Sequence, residues 1–587
     1  MNASPTPQPP AAQTQGESLR ETFDSIVIAL ILAFVFRAFI IEAFVIPTGS
    51  MASTLNGAHG TMICHNCGWE FAYGLTDPSV RGGFAFDDDS VAECPNCRMP
   101  NRTDEINDRR RNCESGDRIL VLKWTYDIGG ATLGPHRWDV VVFKDPSDGV
   151  QNYIKRLAGL PNEVLEIVDG DVYTADINEL SEESRRTLDD ERHIKYLRRE
   201  WAELERTDMP PRVDRDRLPP EVLAQLDLNQ LNALDAGLAA RHRAMLDDLD
   251  TKLQIRRKTD DTQRDLWRVV FDLDYPPREL IHGEPQWIPQ DKKGWSVHDR
   301  TLRFADDGGK EGIISLAAEI DSLCAYNTLP RLRRGRRDGL PVSDLRISYV
   351  LDYRGGNGTL AAELSKRNDH FRGELAADGT VRLLHATADA PHDWKELATA
   401  SVPPLVADHK IEFAMQNLEY RVGIWVNGQE VLATTDEQYA PNVHALRTGG
   451  PAPTTLPPRL VAQGLDVELS HVLVQHDIFY ISQMPAEAVP IGYHAWGVEN
   501  YPIWLRSHEF FMLGDNSAQS KDSRLWNYVG DHLLSRGEDY QLGTVPRDQL
   551  IGRAFFVYWP SGLRTSVLPF LKDRGWIPNF GRMRWIR

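Results

Sequence analysis

The N-terminal part of the chain changes sharply from polar to apolar. Residues 1–24 are polar and rich in Pro, Gln and Ala, which predicts a disordered tail. Residues 25–46 are largely apolar, with Arg37 and Glu42 near one end. A membrane-spanning helix needs about 20 apolar residues, and charges near its end can extend to the bilayer surface. The pattern therefore predicts a single transmembrane anchor.

Two other structures produce a similar apolar run. A cleaved signal peptide ends in small residues at Ala-x-Ala spacing, and a helix in a soluble core has one apolar face. This run passes into Arg37-Ala38-Phe39 instead, and apolar residues occupy all its faces. Both alternatives are thus disfavoured. Arg20 and Arg37 flank the run on its two sides, so charge does not fix its orientation in the membrane.

Shorter patterns follow in the rest of the chain. Strand-like runs at 119–123, 138–144 and 550–559 predict a mainly β core. Residues 172–277 are charged and helical in pattern, which predicts a coiled or solvated helical hairpin broken by two Pro-Pro pairs at 210–211 and 219–220.

Residues 278–483 return to a β pattern. About ten short strands separated by turn signals predict a β-sandwich. Hairpins are expected around Asp378-Gly379 and Asn427-Gly428, since these dipeptides favour two-residue turns. The stretch HKIEFAMQNLEYRVGIWVNGQEVL resembles paired strands of a laminin-G-like or concanavalin-like jelly roll. Such folds often bind glycans or proteins, so a glycan or protein partner is one expectation for this segment.

Overall charge excludes one class of partner. The chain has 587 residues, 66 basic against 85 acidic side chains, and a formal net charge of −19. Nucleic-acid binding is unexpected, because it requires basic surfaces opposite the phosphates. This length accommodates three or four domains of about 100–200 residues each. Six cysteines are too few for a disulfide scaffold in a chain this long.

A serine with the features of a nucleophile lies directly behind the apolar run. In IPTGSM, Pro47 fixes one backbone angle and Gly49 permits an unusual one just before Ser50. A serine needs a base to act as a nucleophile. Lys155, in the strand-like YIKR run, is a candidate base, because burial in an apolar sheet face lowers the pKa of a lysine toward neutrality. A surface lysine on an edge strand is the simpler alternative.

Six sequence blocks occur in a defined order behind the anchor: FVIPTGSM, GDRILVLK, WDVVVFKDP, YIKRLAGLP, GDNSAQSKDSR and VPRDQLIGRAFFVYWP. Together they resemble type I signal peptidase, a membrane-bound serine protease with a Ser-Lys dyad. The resemblance implies a catalytic core of antiparallel sheets, divided along the sequence into residues 43–62, 114–171 and 484–587. Residues 172–483 match nothing in that core.

The resemblance also implies chemical roles. Ser50 corresponds to the nucleophile and Lys155 to the general base, and no cofactor takes part. Thr48 corresponds to the oxyanion-hole position whose hydroxyl acts with the Ser50 backbone N–H, and Ser520 to the serine that hydrogen-bonds the lysine amine. The other positions carried over are a supporting polar cluster, Arg156, Asp515, Asp522 and Arg524, and the walls of the pockets for Ala at −1 and −3, Phe44, Ile46, Pro47, Tyr153 and Ile154.

The family further implies partners and a location. The substrates are signal peptides of exported preproteins, and the enzyme sits in the bilayer of the bacterial inner membrane with its catalytic domain on the outer, periplasmic side. This sequence departs from the family at two positions. Ser517 stands where Arg often follows Gly-Asp-Asn, and Asn162 stands where Gly commonly follows Leu-Pro. The first departure weakens an expected ion pair, and neither affects the dyad.

Residues 63–113 contain a pattern that the family does not explain. Cys64-His65-Asn66-Cys67 and Cys94-Pro95-Asn96-Cys97 form two CxxC knuckles. Their spacing is typical of a zinc ribbon, in which four thiolates enclose a structural ion, so Cys64, Cys67, Cys94 and Cys97 are candidate ligands. Two disulfides are the alternative, because the catalytic domain of the family lies on the oxidising side of the membrane.

Three functions remain at this stage. The first is a membrane-anchored signal peptidase. The second is a Ser-Lys protease that cleaves itself or one dedicated partner, and the third is a binding scaffold built on a relict protease core. Intact Ser50, Lys155 and Ser520 disfavour the third. Four tryptophans of the insert are candidates for stacking on sugars, although tryptophans are more often core residues: Trp287, Trp295, Trp394 and Trp425.

Overall fold

We describe the fold from a computed structural model of the chain. The described residues are 15–74, 91–102, 113–204, 222, 225, 227–279, 286–290, 294–305, 309–318, 320–322, 328–329, 340–449, 456–482, 496–560 and 579–587. Residues 1–14 of the predicted tail and both Pro-Pro pairs of the helical insert lie outside these ranges, as do parts of the cysteine segment and of residues 484–587.

The apolar segment forms helix α1, Gln15–Phe39. Among the described residues it is the one helix long and apolar enough to cross a membrane, with a mean hydropathy of 2.0 over Thr22–Phe39 and no part of that window buried in the protein. The prediction of a span to residue 46 was wrong at its C-terminal end. Strand β1, Ile41–Val45, pairs there with a core strand, and Glu42 forms an ion pair with Lys123 (3.2 Å). Its start also differs, because residues 15–24 are helical.

The cysteine segment forms two small antiparallel sheets. Its strands are β2 His59–Ile63, β3 Glu70–Gly74, β4 Val91–Glu93, β5 Pro100–Arg102 and β6 Cys113–Glu114. Strand β2 pairs with β3 and β6, whereas β4 pairs with β5. We call this unit the cysteine module.

The next strands begin the core. They are β7 Arg118–Leu122, β8 Val140–Lys144, β9 Asn152–Gly159, β10 Glu163–Val168 and β11 Asp171–Asp176, with short helices α2 Trp124–Ile128 and α3 Gly130–Leu133. The sequence analysis ended this part of the core at residue 171. The core continues through β11, which pairs with β10 across a turn at Asp169-Gly170, where both residues have positive φ. An Asp-Gly pair between two apolar runs is a hairpin signal that the sequence contained.

Two helices of the charged segment confirm its helical pattern. They are α4 Glu182–Leu204 and α5 Leu228–Asp250. They pack together through small apolar clusters that include Leu188 with Met245 and Leu197 with Leu231. On its other side α4 contacts the core, where Arg192 forms a buried ion pair with Glu509 (Nη2–Oε1 2.9 Å).

The β insert supplies most of the remaining strands. Their bounds are β12 Gln254–Ile255, β13 Arg268–Asp272, β14 Trp287–Pro289, β15 Trp295–His298, β16 Thr301–Ala305, β17 Gly312–Leu316, β18 Thr328–Leu329, β19 Leu345–Lys366, β20 Asp369–Ala376, β21 Thr380–Thr387, β22 Ala390–Ser401, β23 Lys410–Leu418, β24 Arg421–Val426, β25 Gln429–Ala433 and β26 Arg459–His476, with helices α6 Asp260–Leu266 and α7 Val443–Thr448.

Thirteen of these strands, β13–β17 and β19–β26, form one antiparallel network within the described residues. Both predicted hairpins are present, β20–β21 around Gly379 and β24–β25 around Asn427-Gly428. The β unit begins at Arg268, ahead of residue 278, because β13 pairs with β26. Strand β12 instead pairs with β11 of the core, and β18 adds a strand beside β4 of the cysteine module.

The tryptophans of the insert divide into two kinds. Trp287 and Trp295 are buried in its apolar core, as the simpler alternative for these residues expects. Trp394 and Trp425 are half-buried, and the guanidinium groups of Arg372 and Arg346 lie over their rings at 4.7 and 5.6 Å. The rings that retain exposed surface are thus already in contact with cations of the same chain.

Two buried lysines of the insert carry paired charges, and one of them, Lys366, ties the insert to the core. Lys366 of β19 contacts Asp171 of β11 (3.2 Å) and Asp344 (2.5 Å). Lys258 contacts Asp477 (2.7 Å) and also Glu419. Buried charges are tolerated when they are paired in this way, and losing one partner is costly. The insert is therefore packed against the core through charges that require each other.

The C-terminal strands complete the core. They are β27 Ile503–Trp504, β28 Glu509–Leu513, β29 Val545–Pro546, β30 Leu550–Trp559 and β31 Arg584–Trp585, with helix α8 Asp531–Leu534. Among the described residues, the main core sheet has the order β1-β7-β30-β8-β9-β28-β29, and β31 pairs with β30. Segments far apart in sequence, at 41–45, 118–159 and 509–559, are therefore neighbours in one sheet.

The buried pair between α4 and the core generates a stability prediction. Arg192→Met should destabilise the protein by about 3–5 kcal/mol, because it leaves Glu509 buried without its cation. Differential scanning calorimetry of the full chain measures this as a lower Tm. The matched control is Arg186→Met on the same helix, whose pair with Glu182 is exposed and should cost less than about 1 kcal/mol. Equal Tm changes for the two variants would contradict the prediction.

Candidate active site

Ser50 lies in a 3₁₀ turn, Gly49–Met51, just after β1. Asn516 bonds this turn twice: its Nδ2 donates to the Gly49 carbonyl (3.0 Å), and its backbone N–H donates to the Ser50 carbonyl (3.0 Å). The C=O and N–H of a trans peptide point in opposite directions. Fixing the Gly49 carbonyl therefore also fixes the direction of the Ser50 N–H, on the side away from Asn516.

Lys155 lies on β9 with its Nζ 2.6 Å from the Ser50 Oγ, and its Nζ also contacts the Ile154 carbonyl (3.2 Å). Its side chain is almost inaccessible, with 4% relative exposure. Burial lowers the pKa of Lys155 to about 8, against the negative charges of Asp522 and Asp515, which favour the protonated form. The alternative of an exposed lysine on an edge strand was wrong, because β9 lies between β8 and β28.

The four predicted support residues form two buried ion pairs. Arg156 donates two hydrogen bonds to the Asp515 carboxylate, from Nε to Oδ1 (2.8 Å) and from Nη2 to Oδ2 (2.7 Å). Both side chains are fully inaccessible to solvent. Asp522 and Arg524 form a second two-bond pair (2.9 and 2.7 Å). Asp522 also accepts a hydrogen bond from the Gly514 N–H (2.9 Å). The Arg156–Asp515 pair holds the segment that carries Asn516 against β9, and the Asp522–Arg524 pair stabilises that segment internally.

Ser517, one of the departures from the family pattern, is part of this arrangement. Its hydroxyl accepts hydrogen bonds from the Arg524 Nη1 and from the Ile481 N–H, both at 2.8 Å. The second departure, Asn162, has a φ of +68°, a left-handed conformation that glycine and asparagine adopt more readily than other residues. Asparagine therefore satisfies the same backbone requirement as glycine at this turn.

Ser520 lies close to the Ser50 turn but does not make its predicted hydrogen bond to Lys155. It is 2% exposed, and its Oγ has no hydrogen-bond partner among the described residues. Lys155 is directed at Ser50 and Ile154 instead. Ser520 packs closely against Gly514, where an added Cβ would lie 2.1 Å from the Ser520 Oγ and 2.7 Å from the Ser50 carbonyl oxygen. Glycine at 514 permits this close approach.

The predicted substrate-contact residues differ in their exposure. Ile46 and Ile154 are buried in an apolar cluster with Met51, directly beneath the nucleophile turn. Phe44 and Tyr153 are half-buried, whereas Pro47 and Thr48 are exposed. Thr48 has an extended backbone and makes no capping hydrogen bond to the 3₁₀ turn. Of these six residues, four therefore have surface that a ligand can reach: Phe44, Pro47, Thr48 and Tyr153.

Sequence analysis missed Asn516 as a site residue. The Gly-Asp-Asn sequence indicated a turn, and that interpretation left the amide side chain without a role. An asparagine amide supplies donors that can bond a neighbouring carbonyl, and this property could have marked Asn516 as a candidate site residue. Its partner, the Gly49 carbonyl, is far away in sequence and becomes apparent only in the folded chain.

The four cysteines of the cysteine module lie together and are buried, with no disulfide among them. The Sγ atoms of Cys64 and Cys97 are 3.6 Å apart, as are those of Cys67 and Cys94. A disulfide would bring two sulfurs to about 2.05 Å. Amide groups approach two of the sulfurs: Asn101 contacts Cys64 (3.7 Å) and Asn66 contacts Cys97 (3.8 Å).

Comparison with known proteins shows a similarity to signal peptidases over parts of the chain. The family model described as "Signal peptidase, peptidase S26" matches residues 101–237 and 424–559, which include Lys155 and Asn516 but not Ser50. Signal peptidase I of Rickettsia prowazekii (strain Madrid E) is 25% identical over 182 residues, 31% of this chain and 53% of that protein. Signal peptidase I of Pseudomonas fluorescens is 31% identical over 136 residues, 23% of this chain and 30% of that protein.

The chain spans about half the length, or less, of these curated relatives. The matched parts of the chain resemble type I signal peptidases of the peptidase S26 family.

Solved structures add little to this assignment. Carbohydrate-binding module CBM66 from Bacillus subtilis aligns at 12% identity with a TM-score of 0.23, covering 32% of this chain and 95% of that one. The lumenal domain of VIP36 in its calcium-bound form aligns at 13% identity with a TM-score of 0.22, covering 35% and 87%. Scores this low support no conclusion about the insert, whose jelly-roll resemblance and glycan or protein partner stay predictions.

The burial of Lys155 predicts a lowered pKa in the intact protein. Nuclear magnetic resonance of the detergent-solubilised chain with ¹³C-labelled lysine should reveal one amine that titrates near a pKa of about 8. Lys155→Gln should remove that signal, which assigns it. If every lysine titrated near the ordinary value of about 10.4, the physical argument for Lys155 as a base would fail.

Proposed function

We propose that this chain is a membrane-anchored serine endopeptidase that removes signal peptides from exported preproteins at Ala-x-Ala sites. The 2.6 Å separation of Ser50 Oγ and Lys155 Nζ carries this proposal, in a chain that resembles signal peptidases over the matched ranges. A buried amine beside a hydroxyl is the arrangement needed to activate a serine without a histidine.

In the proposed acylation step, neutral Lys155 removes the Ser50 hydroxyl proton as Ser50 Oγ attacks the scissile carbonyl. The negative charge on the carbonyl oxygen is stabilised by the Ser50 N–H, whose direction the Asn516–Gly49 bond supports, and by the Thr48 hydroxyl. One such donor contributes about 3 kcal/mol. The Lys155 ammonium then gives its proton to the departing amine of the mature protein, and the carbon–nitrogen bond breaks.

In deacylation Lys155 acts as the base again, with water as the nucleophile. Lys155, neutral again, removes a proton from water, which attacks the ester between Ser50 and the signal peptide. The proton returns to the Ser50 oxygen as the ester breaks and the signal peptide leaves as a carboxylate. Asp515 and Asp522 moderate the loss of positive charge at Lys155, since both favour its protonated form. A pKa of about 8 leaves a substantial fraction of the amine neutral near neutral pH.

The proposed location follows from helix α1. Its apolar window would lie in the bacterial inner membrane, and the core beginning at β1 would lie just outside the bilayer on the periplasmic side. The short connection between Phe39 and Ile41 would keep Ser50 near the membrane surface, where preproteins emerge. The pockets for Ala at −1 and −3 are assigned in this proposal to Phe44, Ile46, Pro47, Tyr153 and Ile154.

The cysteine module is proposed to hold a structural zinc ion. In a tetrahedral site with zinc–sulfur bonds of about 2.3 Å, the sulfurs lie about 3.8 Å apart. The 3.6 Å separations in the two cysteine pairs fit this geometry, and all four sulfurs lie within 4.8 Å of one another. Four thiolates would leave no open position on the ion, so Cys64, Cys67, Cys94 and Cys97 would serve folding and not catalysis.

The dyad is tested by incubating the detergent-solubilised chain with a preprotein that carries Ala at −1 and −3. Ser50→Ala and Lys155→Ala should each lower kcat by more than about 10⁴-fold, because each removes a group needed for acyl transfer. Ser401→Ala and Lys410→Ala, both exposed on the insert, are matched controls expected to retain wild-type kcat. Near-wild-type cleavage by either dyad variant would exclude the proposed mechanism.

Metal analysis of the purified full chain tests the zinc site. We expect one zinc ion per chain by inductively coupled plasma mass spectrometry, and its loss in Cys64→Ser with Cys97→Ser. Zinc binding requires thiolates, so release should add the four thiols of Cys64, Cys67, Cys94 and Cys97 to those that react with a thiol reagent under denaturing conditions. A protein without zinc in which these cysteines resist the reagent until reduced would support two disulfides instead.

A further inference from the structure

Arg268, the first residue of β13, reaches from the β insert to the turn that carries Ser50. Its Nη1 donates to the Ser53 hydroxyl (2.7 Å), and its Nη2 donates to the Ala52 carbonyl (3.3 Å). Ala52 ends the 3₁₀ turn, where its N–H bonds to the Gly49 carbonyl (3.0 Å). Arg268 lies between the two ranges that match the signal peptidase family, so the contact comes from the part of the chain outside that match.

The insert holds Arg268 from both ends of β13. Within the sheet, Arg268 is opposite His476 of β26. The following strand residues Val270 and Phe271 are buried in the insert core. At the other end, the Asp272 N–H donates to the Asn96 side chain of the cysteine module (2.6 Å). The arginine therefore projects from a strand whose position is fixed by packing and hydrogen bonding.

Arg268 and Asn516 bond different carbonyls of the turn. Asn516 bonds the Gly49 and Ser50 carbonyls, and Arg268 bonds the Ala52 carbonyl, so two residues together hold three carbonyls around the nucleophile. Arg268 and Asn516 also line a common cavity of about 20 Å³. A guanidinium suits this position, because its planar N–H groups can serve two acceptors at once, whereas a lysine amine is less constrained.

We propose that Arg268 is a positioning residue for Ser50. It holds the C-terminal end of the nucleophile turn, which keeps the Ser50 Oγ within reach of Lys155 and the Ser50 N–H directed at the oxyanion. The β insert thereby contributes to the rate of the reaction. This inference rests on the proposed function, because it assigns Arg268 a part in the same acyl transfer, although Arg268 itself contacts neither Ser50 Oγ nor Lys155 Nζ.

The experiment compares Arg268→Gln, Arg268→Lys and the control Arg264→Gln in the full chain with a cleavable preprotein. Arg264 lies four positions upstream, is exposed, and forms an ion pair only with its helix neighbour Asp261 (3.3 Å) among the described residues. We expect Arg268→Gln to lower kcat about tenfold with KM unchanged, because the turn is misplaced and the substrate contacts remain. Arg268→Lys should recover part of the loss, and Arg264→Gln should match the wild type.

Amide hydrogen exchange measured by mass spectrometry provides a readout that does not depend on cleavage. In Arg268→Gln, exchange should accelerate in peptides covering residues 49–55, whose Ala52 and Leu55 N–H groups are bonded within the turn. Ser53→Ala removes one acceptor and leaves the arginine intact, so it should produce a smaller change in the same direction. The double variant with Arg268→Gln should be less than additive if the two groups act together.

The possible outcomes distinguish a failure of the proposed function from a failure of the inference about Arg268. If the wild-type chain does not cleave the preprotein, the proposed function fails, while exchange at residues 49–55 still decides whether Arg268 holds the turn. Unchanged kcat and exchange in Arg268→Gln would overturn the inference, as would a rise in KM alone. If Arg268→Gln lost its folded structure, Ser53→Ala would decide: slower turnover with faster local exchange supports the inference, and wild-type values overturn it.

Discussion

Lys155 lies on a strand with neighbours on both sides, and its amine is almost completely removed from water. Removing a charge from water is unfavourable, so this environment lowers the cost of the neutral amine. Nearby carboxylates oppose this effect, because their negative charge favours the protonated amine of Lys155. They belong to Asp522 and Asp515, each of which is bonded to a buried arginine. In the core sheet β28 lies beside β9, which brings the segment that carries Asp515 and Asp522 close to Lys155.

The large insert is connected to this arrangement at the level of individual bonds. Lys366 of the insert pairs with Asp171 of the core, and Arg192 of the helical segment pairs with Glu509 of β28. Asn66 and Asn96, the third residues of the two CxxC knuckles, bond backbone groups at 272–279, just after β13. Paired buried charges and reciprocal amide bonds tolerate little displacement. The insert is therefore held firmly both to the core and to the cysteine module.

Local patterns predicted the elements whose causes are local. Apolar residues on all faces indicated α1, and the Asp-Gly and Asn-Gly dipeptides at 378–379 and 427–428 indicated hairpins that are present. Errors arose at borders. Residues 41–46 are apolar enough for the membrane, yet β7 offers them a ladder of hydrogen bonds, and the sequence pattern does not distinguish these two environments. The Asp169-Gly170 turn was a local signal that the analysis did not use.

By itself, the sequence determined which side chains are available for chemistry: a serine behind an apolar helix, a lysine in a strand-like run, and four cysteines at metal-ligand spacing. Only the tertiary structure decided which of them meet. The burial of Lys155, the hold of Asn516 on Gly49, and the reach of Arg268 to Ala52 join residues more than a hundred positions apart. Such contacts depend on how sheets stack and which strands are neighbours. The residue pattern of any one segment does not determine that arrangement.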